Sequence, residues 1–388
     1  MYIRAAIEIG IATQTTTSMT TESFKDDPSA LLRDLVSAMR MGVAGSWSED
    51  RFEALALRAF RHQFEANGPY RAFCEGRGST PATVKAWTDV PAVPVAAFKA
   101  VELVCGRPHD AEIVFRTSGT TRGGRARGAH FVPSLEIYRA SLIPPFRAHV
   151  VPDLDRIRFV SLVPAPSDLP DSSLSFMVDA AAQRFASEIA WGVDGEGALD
   201  EDALVRALHA AERAGDPVLL LGTAFAFVHA LDRTPSPLRS LPPGSRIMET
   251  GGFKGRSREL SKPELHALLA DRTGVPRERI VNEYGMTELL SQLYEPVLAE
   301  GLAGADRHRP PPWLAVRALD PTTLDPMPAG EEGILAFFDL ANLGSVCHVL
   351  TEDVGSVVDG HVRLVGRTEG AEPRGCSRAM DELMSSVR

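Results

Sequence analysis

The sequence predicts an α/β protein that ends in a β-rich subdomain. Between about residues 110 and 295, apolar runs typical of buried strands alternate with helix-periodic stretches, which favours a layered α/β body. After about residue 310 the apolar runs become short and are separated by Pro, Gly and Asp, as in antiparallel sheets. We therefore expect a flexible N-terminal extension (1–27), an α/β body of sheets and helices (28–309) and a β-rich subdomain (310–388).

The elements of the body follow one another in a regular order. Residues 28–78 are predicted to be helical from their periodic Ala, Leu and Arg, and residues 88–98, interrupted by prolines, are predicted to be a loop. Three segments begin as strands: IVFRTSGTTRGG from 113, RIRFVSLVPAP from 156 and SRIMETGGFKG from 245. Helices are predicted in SLSFMVDAAAQRFA from 173 and, capped by Ser261, in SKPELHALLADRTG.

Two further segments of the body combine both kinds of structure. DPVLLLGTAFAFVHALD (216–232) is predicted to be a strand that runs into a helix, and ERIVNEYGMTELLSQLY (278–294) a strand, a loop and a helix.

The β-rich end contains the runs WLAVRALD, GILAFFDL, CHVLTEDVGSVVDG and HVRLVGR. Their short lengths and turn residues predict antiparallel strands.

Composition and charge exclude several classes of protein. Hydrophobic residues make up 44% of the 388 residues and charged residues 24%, which is typical of globular domains and unlike disordered or collagen-like chains. Two or three domains fit this length. No apolar run approaches the roughly 18 residues of a membrane span. The net charge of −10 argues against a nucleic-acid partner, because such proteins usually carry a basic face.

Cysteine usage and the first residues bear on the compartment. The four cysteines Cys74, Cys105, Cys347 and Cys376 show no Cys-x-x-Cys spacing, so we expect neither a zinc site nor a redox pair but reduced thiols and a cytoplasmic location. The first three are interpreted as structural, in a helix, before a turn and in a strand. The short apolar patch of the N-terminal extension does not resemble a signal peptide, and Met19 is an alternative start.

The strongest local motif is the run Thr117-Ser118-Gly119-Thr120-Thr121-Arg122-Gly123-Gly124. It combines hydroxyl groups with small, flexible glycines, so its side chains and backbone amides suit a phosphate group. Gly119 and Gly124 have the spacing of a Walker loop, but Arg125 and Ala126 follow where Lys and Ser or Thr would stand. A polar surface turn is the alternative.

A second motif is Asn282-Glu283-Tyr284-Gly285-Met286-Thr287-Glu288. An aromatic ring beside a glycine can stack on a nucleotide base, and the hydroxyl of Thr287 and the carboxylate of Glu288 suit a phosphate and its magnesium ion. A helix N-terminus with Thr287 as its cap is the alternative.

Two more segments complete a pattern: Thr351-Glu352-Asp353-Val354-Gly355 and Gly366-Arg367. In this order the four motifs resemble those of the adenylate-forming superfamily of acyl and aminoacyl ligases. The closer resemblance is to bioluminescence-type acyl-protein synthetases, the LuxE-like family, and covers about residues 50–380. It is carried by PVAAFK ending at Lys99, PDSSLSFM at 170–177, GTAFAFVHALD at 222–232, TGGFKG at 250–255 and RGCS at 374–377. The implied fold is the adenylate-forming N-terminal body with a β-rich subdomain.

The resemblance implies binding of ATP and Mg²⁺. Ser118, Thr120 and Thr121 would hold the β- and γ-phosphates within the loop that also contains Thr117, Gly119 and Gly123. Thr287 would contact the α-phosphate, and Glu288 would hold Mg²⁺. Tyr284, before Gly285, would stack on adenine, with Asn282 and the Gly251-Gly252 loop at its edge.

Asp353 and Arg367 are the implied ribose contacts. A carboxylate with two acceptor oxygens suits both ribose hydroxyls, and Arg367 would add a donor nearby. An aspartate in a β-turn is the alternative for Asp353.

Lysine is scarce, with five residues at positions 25, 85, 99, 254 and 262. Typical superfamily members carry a mobile C-terminal lid whose lysine reaches the carboxylate and the α-phosphate, whereas 21 residues without a lysine follow Arg367 here. The resemblance implies an enzyme without that lid. We predict that Lys254 offsets charge instead, with Arg122, Arg125 or Arg127 as further candidates, and a solvated loop lysine as the alternative.

Cys376 is the implied acyl acceptor, because LuxE-like proteins carry such a cysteine near the C-terminus and pass the acyl group to a reductase. Arg374 and Arg378 flank it, and positive charge favours the thiolate. Gly375 predicts a mobile backbone. A small cysteine buried for packing alone is the alternative.

The implied function is an ATP-dependent acyl ligase that activates a carboxylic acid, with a fatty acid as the first expectation, and transfers the acyl group to a thiol. An acyl reductase or a carrier protein is the expected partner. Transfer to coenzyme A, a carrier-protein thiol or an amine is one alternative, and a non-catalytic nucleotide-binding or scaffold subunit is another. Phe225, Phe227 and Phe253 are candidates to line an acyl tunnel, although such aromatic residues are more often ordinary core residues.

Overall fold

The computed structural model describes residues 27–117, 127–233, 241–251, 260–301, 304, 306–367 and 374–387. Residues 1–26 of the predicted extension lie outside these ranges. Three helices come first, as the periodicity of 28–78 predicts: α1 (Pro28–Arg40), α2 (Glu49–Ala66) and α3 (Gly68–Gly76). Each is preceded by a residue whose side chain accepts a hydrogen bond from a first-turn amide, namely Asp27, Ser48 and Asn67.

The proline-broken segment is largely irregular, as predicted. It contains the 3₁₀ helices Trp87–Asp89, Val95–Lys99 and Pro108–Asp110 and the two-residue strand β1 (Val93–Pro94). An antiparallel hairpin follows, formed by β2 (Ile113–Arg116) and β3 (Ala129–Val132). It encloses residues 118–126, which lie outside the described ranges.

A six-stranded sheet forms the centre of the body. Its strands are β4 (Ile157–Leu162), β5 (Ala186–Trp191), β6 (Val218–Thr223), β7 (Arg246–Thr250), β8 (Ile280–Tyr284) and β9 (Leu293–Tyr294). They lie in the order β5-β4-β6-β7-β8-β9, and all pairs are parallel except β8 with β9. The strands predicted around residues 156, 216, 245 and 278 are therefore confirmed.

Helices cover both faces of this sheet. They are α4 (Leu135–His149), α5 (Ser173–Phe185), α6 (Glu201–Ala214), α7 (Ala224–Arg233), α8 (Lys262–Thr273) and the short α9 (Val297–Glu300). Val160 packs with Leu208 and Phe227 on one face, whereas Phe159 packs with Phe185 on the other. Side chains alternate along a strand, so a sheet covered on both faces needs apolar residues at nearly every position.

The helix predicted at the end of the segment 278–294 is wrong. After β8 the chain turns and returns as β9, which pairs Leu293 with Tyr284. The carboxylate of Asp339 accepts hydrogen bonds from the Leu290 amide and the Ser291 hydroxyl. These tertiary contacts satisfy the backbone without a helix.

A second sheet follows, and its antiparallel strands confirm the β-rich prediction. They are β10 (Leu314–Leu319), β11 (Gly333–Asp339), β12 (His348–Val358) and β13 (His361–Arg367). β12 also pairs in parallel with β1, so this sheet takes one strand from a distant part of the chain. The boundary at residue 310 stays a prediction. Cys347 lies one residue before β12 and not within it.

The described chain ends with α10 (Arg374–Ser386), which the sequence did not predict. Cys376 and Leu383 face inward, and the helix packs against α3, β1 and β12. Within the described ranges no helix has the length and apolar character that a membrane crossing requires.

Candidate active site

Several of the predicted site residues meet where β7, β8 and β12 come together. Thr250 and Glu283 are neighbours at the carboxyl ends of β7 and β8, and Tyr284 at the end of β8 touches Asp353 of β12. In open α/β sheets, ligands bind outside the carboxyl ends of the strands. The fold therefore places three of the four sequence motifs at the edge where a ligand is expected.

Tyr284, Asp353 and Arg367 form one connected group. The Tyr284 hydroxyl donates to Asp353 Oδ2 at 2.7 Å, and Arg367 Nε donates to Asp353 Oδ1 at 2.9 Å. Burial, with the Asp353 charge nearby, raises the pKa of Tyr284 well above its ordinary value, so the phenol keeps its proton. Asp353 lies within β12, and the alternative of a β-turn aspartate is wrong.

The ring of Tyr284 is held from one side. It stacks on Phe337 of β11, with ring centroids 5.7 Å apart and an interplanar angle of 24°. A phenol fixed by a stacked neighbour and a hydrogen bond has few rotamers left, so its ring plane is defined before any ligand arrives.

Gly285 follows Tyr284 for a steric reason. A Cβ at this position would lie 2.5 Å from Glu283 Oε1. The Glu283 carboxyl is buried and accepts a hydrogen bond from the Thr250 hydroxyl. Burial raises the pKa of Glu283 to about 7. The glycine of the motif, Gly285, therefore leaves room for the buried Glu283 carboxyl.

Asn282 takes part in a buried polar network under the site. Its Nδ2 donates to Glu249 Oε1 at 2.6 Å, and its Oδ1 lies 2.5 Å from His308 Nε2. Glu249 also contacts His266 Nε2 at 2.8 Å. Both ends of the Asn282 amide are engaged by the protein, and its contact with adenine stays a prediction.

Thr287 and Glu288 lie in a turn that His130 holds in place. The alternative of a helix N-terminus at Thr287 is wrong, because no helix follows. His130 Nδ1 lies 2.7 Å from the Thr287 carbonyl oxygen, and Nε2 lies 2.8 Å from Ser345 Oγ. Burial lowers the pKa of His130 to about 4, so the ring is neutral. Nδ1 therefore carries the proton and Nε2 accepts from Ser345.

Glu288 has the properties of a carboxylate that could bind a metal ion next to substrate phosphates. It is 6% exposed, and burial raises its pKa to about 7, opposed by the charges of Lys99 and Arg367. Among the described residues no other side chain donates a hydrogen bond to it. A carboxylate with unused acceptor sites fits Mg²⁺, which binds one or two carboxylates together with substrate phosphates. Among the described residues, no group of three or more Asp, Glu, His or Cys side chains is arranged so that it could hold a metal ion.

Of the Thr117–Gly124 motif, the structure describes only the first residue, Thr117. Thr117 Oγ1 accepts a hydrogen bond from the Gly128 amide at 2.9 Å. Arg127 donates to the Thr117 carbonyl at 2.7 Å and to Asp171 at 2.8 Å. Arg127 therefore links Thr117 to Asp171, and the carboxylate of Asp171 balances its charge. The predicted residues Ser118, Gly119, Thr120, Thr121, Arg122, Gly123 and Arg125 lie outside the described ranges.

The glycine loop after β7 is likewise described only at its start. Gly251 has φ of +69°, which suits glycine, while Gly252, Phe253 and Lys254 lie outside the described ranges. Of the two aromatic candidates on α7, Phe227 is buried in the core against β6, and Phe225 stacks on His229. Phe227 is thus a core residue.

Cys376 lies on the opposite face of the second sheet from Tyr284. Neighbouring residues of β11 point to opposite faces: Phe337 stacks on Tyr284, whereas Ala336 packs with Cys376. The thiol is 2% exposed and lies 3.6 Å from the Thr351 carbonyl oxygen. Gly375 is helical, and a Cβ there would lie 2.6 Å from Leu324 Cδ2, so the residue packs closely in this conformation, and the mobile backbone stays a prediction.

Sequence reasoning missed the residues that support the motifs. Lys99, His130 and Glu249 are far from the motifs along the chain, and no local pattern marks them. For Lys99, its place in the family-like run PVAAFK was a signal that could have been followed.

The comparisons with known proteins agree with this geometry. The family profile "Acyl-protein synthetase, LuxE" matches residues 28–385. A long-chain-fatty-acid–luciferin-component ligase of Vibrio harveyi is 25% identical over 364 residues, covering 89% of this chain and 92% of the relative. The Aliivibrio fischeri protein of the same name is 24% identical over 348 residues, covering 86% and 88%.

A solved structure shows the same fold. A 2-hydroxyisobutyryl-CoA ligase in the postadenylation state, with R3-HIB-AMP bound, has a TM-score of 0.62 at 14% identity and is matched over 85% of this chain and 70% of its own. The adenylate-forming fold predicted from the motifs is confirmed. Together with the profile match over residues 28–385, these findings show that the chain belongs to the LuxE acyl-protein synthetase family of ligases.

Proposed function

We propose that the protein uses ATP to activate a fatty acid as an acyl-adenylate and then transfers the acyl group to the thiol of Cys376. One observation carries the nucleotide part of this proposal: Asp353, bonded to both Tyr284 and Arg367, stands beside the turn of Thr287 and Glu288. The names of the two bacterial relatives support a long-chain fatty acid as the substrate.

The nucleotide is proposed to lie against Tyr284. Phe337 covers one face of the ring, and the other face would stack on adenine. Each oxygen of Asp353 accepts one hydrogen bond within the protein and keeps a further acceptor site for a ribose hydroxyl. Arg367 would add a donor at the ribose.

The adenylation step makes one bond and breaks one. A carboxylate oxygen of the acid attacks the α-phosphorus, and the bond from this phosphorus to the bridging oxygen of pyrophosphate breaks. No proton moves, so the protein's contribution is positioning and charge neutralisation. Thr287 and the loop 117–124 would hold the phosphates, with Lys254 as a candidate cation. Mg²⁺ held by Glu288 would neutralise phosphate charge.

The transfer step needs a movement of α10. The thiolate of Cys376 would attack the acyl carbonyl carbon, the carbon–oxygen bond to phosphate would break, and AMP would leave. Because the second sheet separates Cys376 from Tyr284, the thiol must come out of its apolar site for this reaction. The acyl thioester would then be passed to an acyl reductase or a carrier protein.

Intact mass spectrometry tests the proposal. We expect ATP, Mg²⁺ and mixed fatty acids to give an acyl adduct on the wild type and on Cys105→Ala, but not on Cys376→Ala. Cys376→Ala should retain acid-dependent exchange of pyrophosphate into ATP. An adduct that persists on Cys376→Ala would exclude this acceptor, and a wild type without exchange would leave a non-catalytic nucleotide-binding subunit as the function.

The burial of Cys376 favours one second candidate, in which the acyl group goes to a thiol of another molecule. Coenzyme A or a carrier-protein thiol would reach the adenylate without movement of α10. Formation of acyl-CoA by Cys376→Ala at the wild-type rate would support this candidate.

A further inference from the structure

Lys99 lies beside the base of the phosphate loop. It ends the 3₁₀ helix Val95–Lys99, and its Cγ lies 3.3 Å from the point where a Cβ on Gly128 would stand. Thr117 Cγ2 and Oγ1 lie 3.0 and 3.4 Å from the same point. The stem of Lys99 and the side chain of Thr117 therefore border one small space, at the residue where the loop 118–126 begins.

The residue before Lys99 holds the backbone of this lysine near the turn of Thr287 and Glu288. The ring of Phe98, the preceding residue, meets the edge of His130 at a centroid distance of 5.4 Å. His130 holds the Thr287 carbonyl at 2.7 Å, so the end of the 3₁₀ helix is connected to this turn through two packed side chains.

Two other cations of the described chain near the site, Arg127 and Arg367, are already engaged. Arg127 is paired with Asp171 and Arg367 with Asp353. Of the described lysines, Lys262 is paired with Glu295 and Asp306, and Lys85 donates to the Ala82 carbonyl at 2.6 Å. The side chain of Lys99 is exposed, and it forms no ion pair or hydrogen bond with another residue of the described ranges.

On the basis of the proposed function, we propose that Lys99 is a catalytic residue of adenylation, whose ammonium group contacts the acid's carboxylate and the α-phosphate as they meet. Two anionic groups must approach each other in this step, and a cation placed where negative charge gathers stabilises the transition state. The four-carbon stem of lysine lets a compact charge follow both groups. The sequence motifs predict Lys254 for this role, and Lys99 is a second candidate that the structure brings forward.

The experiment compares Lys99→Met, which keeps the stem without the charge, with Lys99→Arg and with the matched control Lys85→Met. Three quantities are measured: acid-dependent pyrophosphate exchange, binding of MgATP by calorimetry in the absence of acid, and acyl transfer from synthetic acyl-AMP to Cys376. We expect Lys99→Met to slow exchange by about 10²–10³-fold, the effect of removing one transition-state contact. Its MgATP affinity should fall much less, and its transfer from acyl-AMP should match the wild type.

The outcomes separate this inference from the proposed function. Exchange by Lys99→Met within threefold of the wild type overturns the role of Lys99 alone. An equal loss in all three measurements also overturns it, because that pattern indicates damage to the fold. Recovery of at least tenfold in exchange by Lys99→Arg supports a role of charge. A wild type that catalyses no exchange overturns both proposals.

Discussion

Gly285→Ala is expected to destabilise the protein although Gly285 is exposed. The added Cβ would lie 2.5 Å from Glu283 Oε1, 3.5 Å from Glu283 Cδ and 3.7 Å from Gln292 Cγ. A separation of 2.5 Å is not tolerated, so the Glu283 carboxyl must move. That carboxyl is 3% exposed and is bonded to the Thr250 hydroxyl.

The magnitude follows from what Glu283 loses. When the carboxyl moves away from Thr250, a buried polar group is left without its partner, which costs about 1–3 kcal/mol. We therefore expect Gly285→Ala to lower the free energy of unfolding by about 1–3 kcal/mol. At most exposed positions a substitution changes stability by about 0.5 kcal/mol or less.

Urea unfolding measures this effect, with Gly68→Ala as the matched control. Gly68 is also exposed, and a Cβ there would have no heavy atom within 4 Å. Glu283→Ala completes a double-mutant cycle, since it removes the atoms that meet the new methyl group. In that background Gly285→Ala should cost less than about 0.5 kcal/mol, so that the two sites couple by at least about 0.5 kcal/mol.

Two results would refute the reasoning about Gly285. The first is a Gly285→Ala variant as stable as Gly68→Ala. The second is an equal cost of Gly285→Ala with and without the Glu283 side chain, because the cost would then come from the backbone and not from this contact.

Three further predictions concern the ribose contact, pH and the docking of α10. Asp353→Asn should weaken ATP binding by about 10–150-fold, the loss of a charged hydrogen-bond acceptor, and calorimetry with an unchanged affinity would remove Asp353 from the site. Burial raises the pKa of Glu283 from 4.5 to about 7, so the folded state holds a proton that the unfolded state releases. Stability should therefore fall as the pH rises from about 4.5 to about 7, and urea midpoints of Glu283→Gln should show a smaller fall. Gly375→Ala would ordinarily favour a helix by about 1 kcal/mol. Here its Cβ meets Leu324, so iodoacetamide should alkylate Cys376 faster than in the wild type, and equal rates would contradict the packing role.

Local signals explain which elements were predicted correctly. The start of α8 is an example: the Ser261 hydroxyl accepts a hydrogen bond from the Glu264 amide, and the Glu264 carboxylate accepts one from the Ser261 amide. These residues are three apart, so the pattern is visible in the sequence. The strands of the six-stranded sheet were found for a similar reason, because strands buried on both faces are continuous apolar runs.

The errors arose where distant contacts override local preference. Leu289 and Leu290 look like the apolar face of a helix after Thr287, but both are buried in the main core. Asp339 supplies the backbone partner that a helix would otherwise provide. Helix α10 was missed, and so was the close packing of Gly375, because that packing depends on the distant residue Leu324.

By itself, the sequence determined the class of fold, the order of the four motifs and the likeness to acyl-protein synthetases, since these depend on residue order and local periodicity. The tertiary structure alone decided that Tyr284 and Asp353, 69 positions apart, share a hydrogen bond. It also decided that Cys376 lies across a sheet from them and that Lys99 borders Thr117. The physical reason is that strand pairing and side-chain packing join distant segments, and no local pattern records which segments will meet.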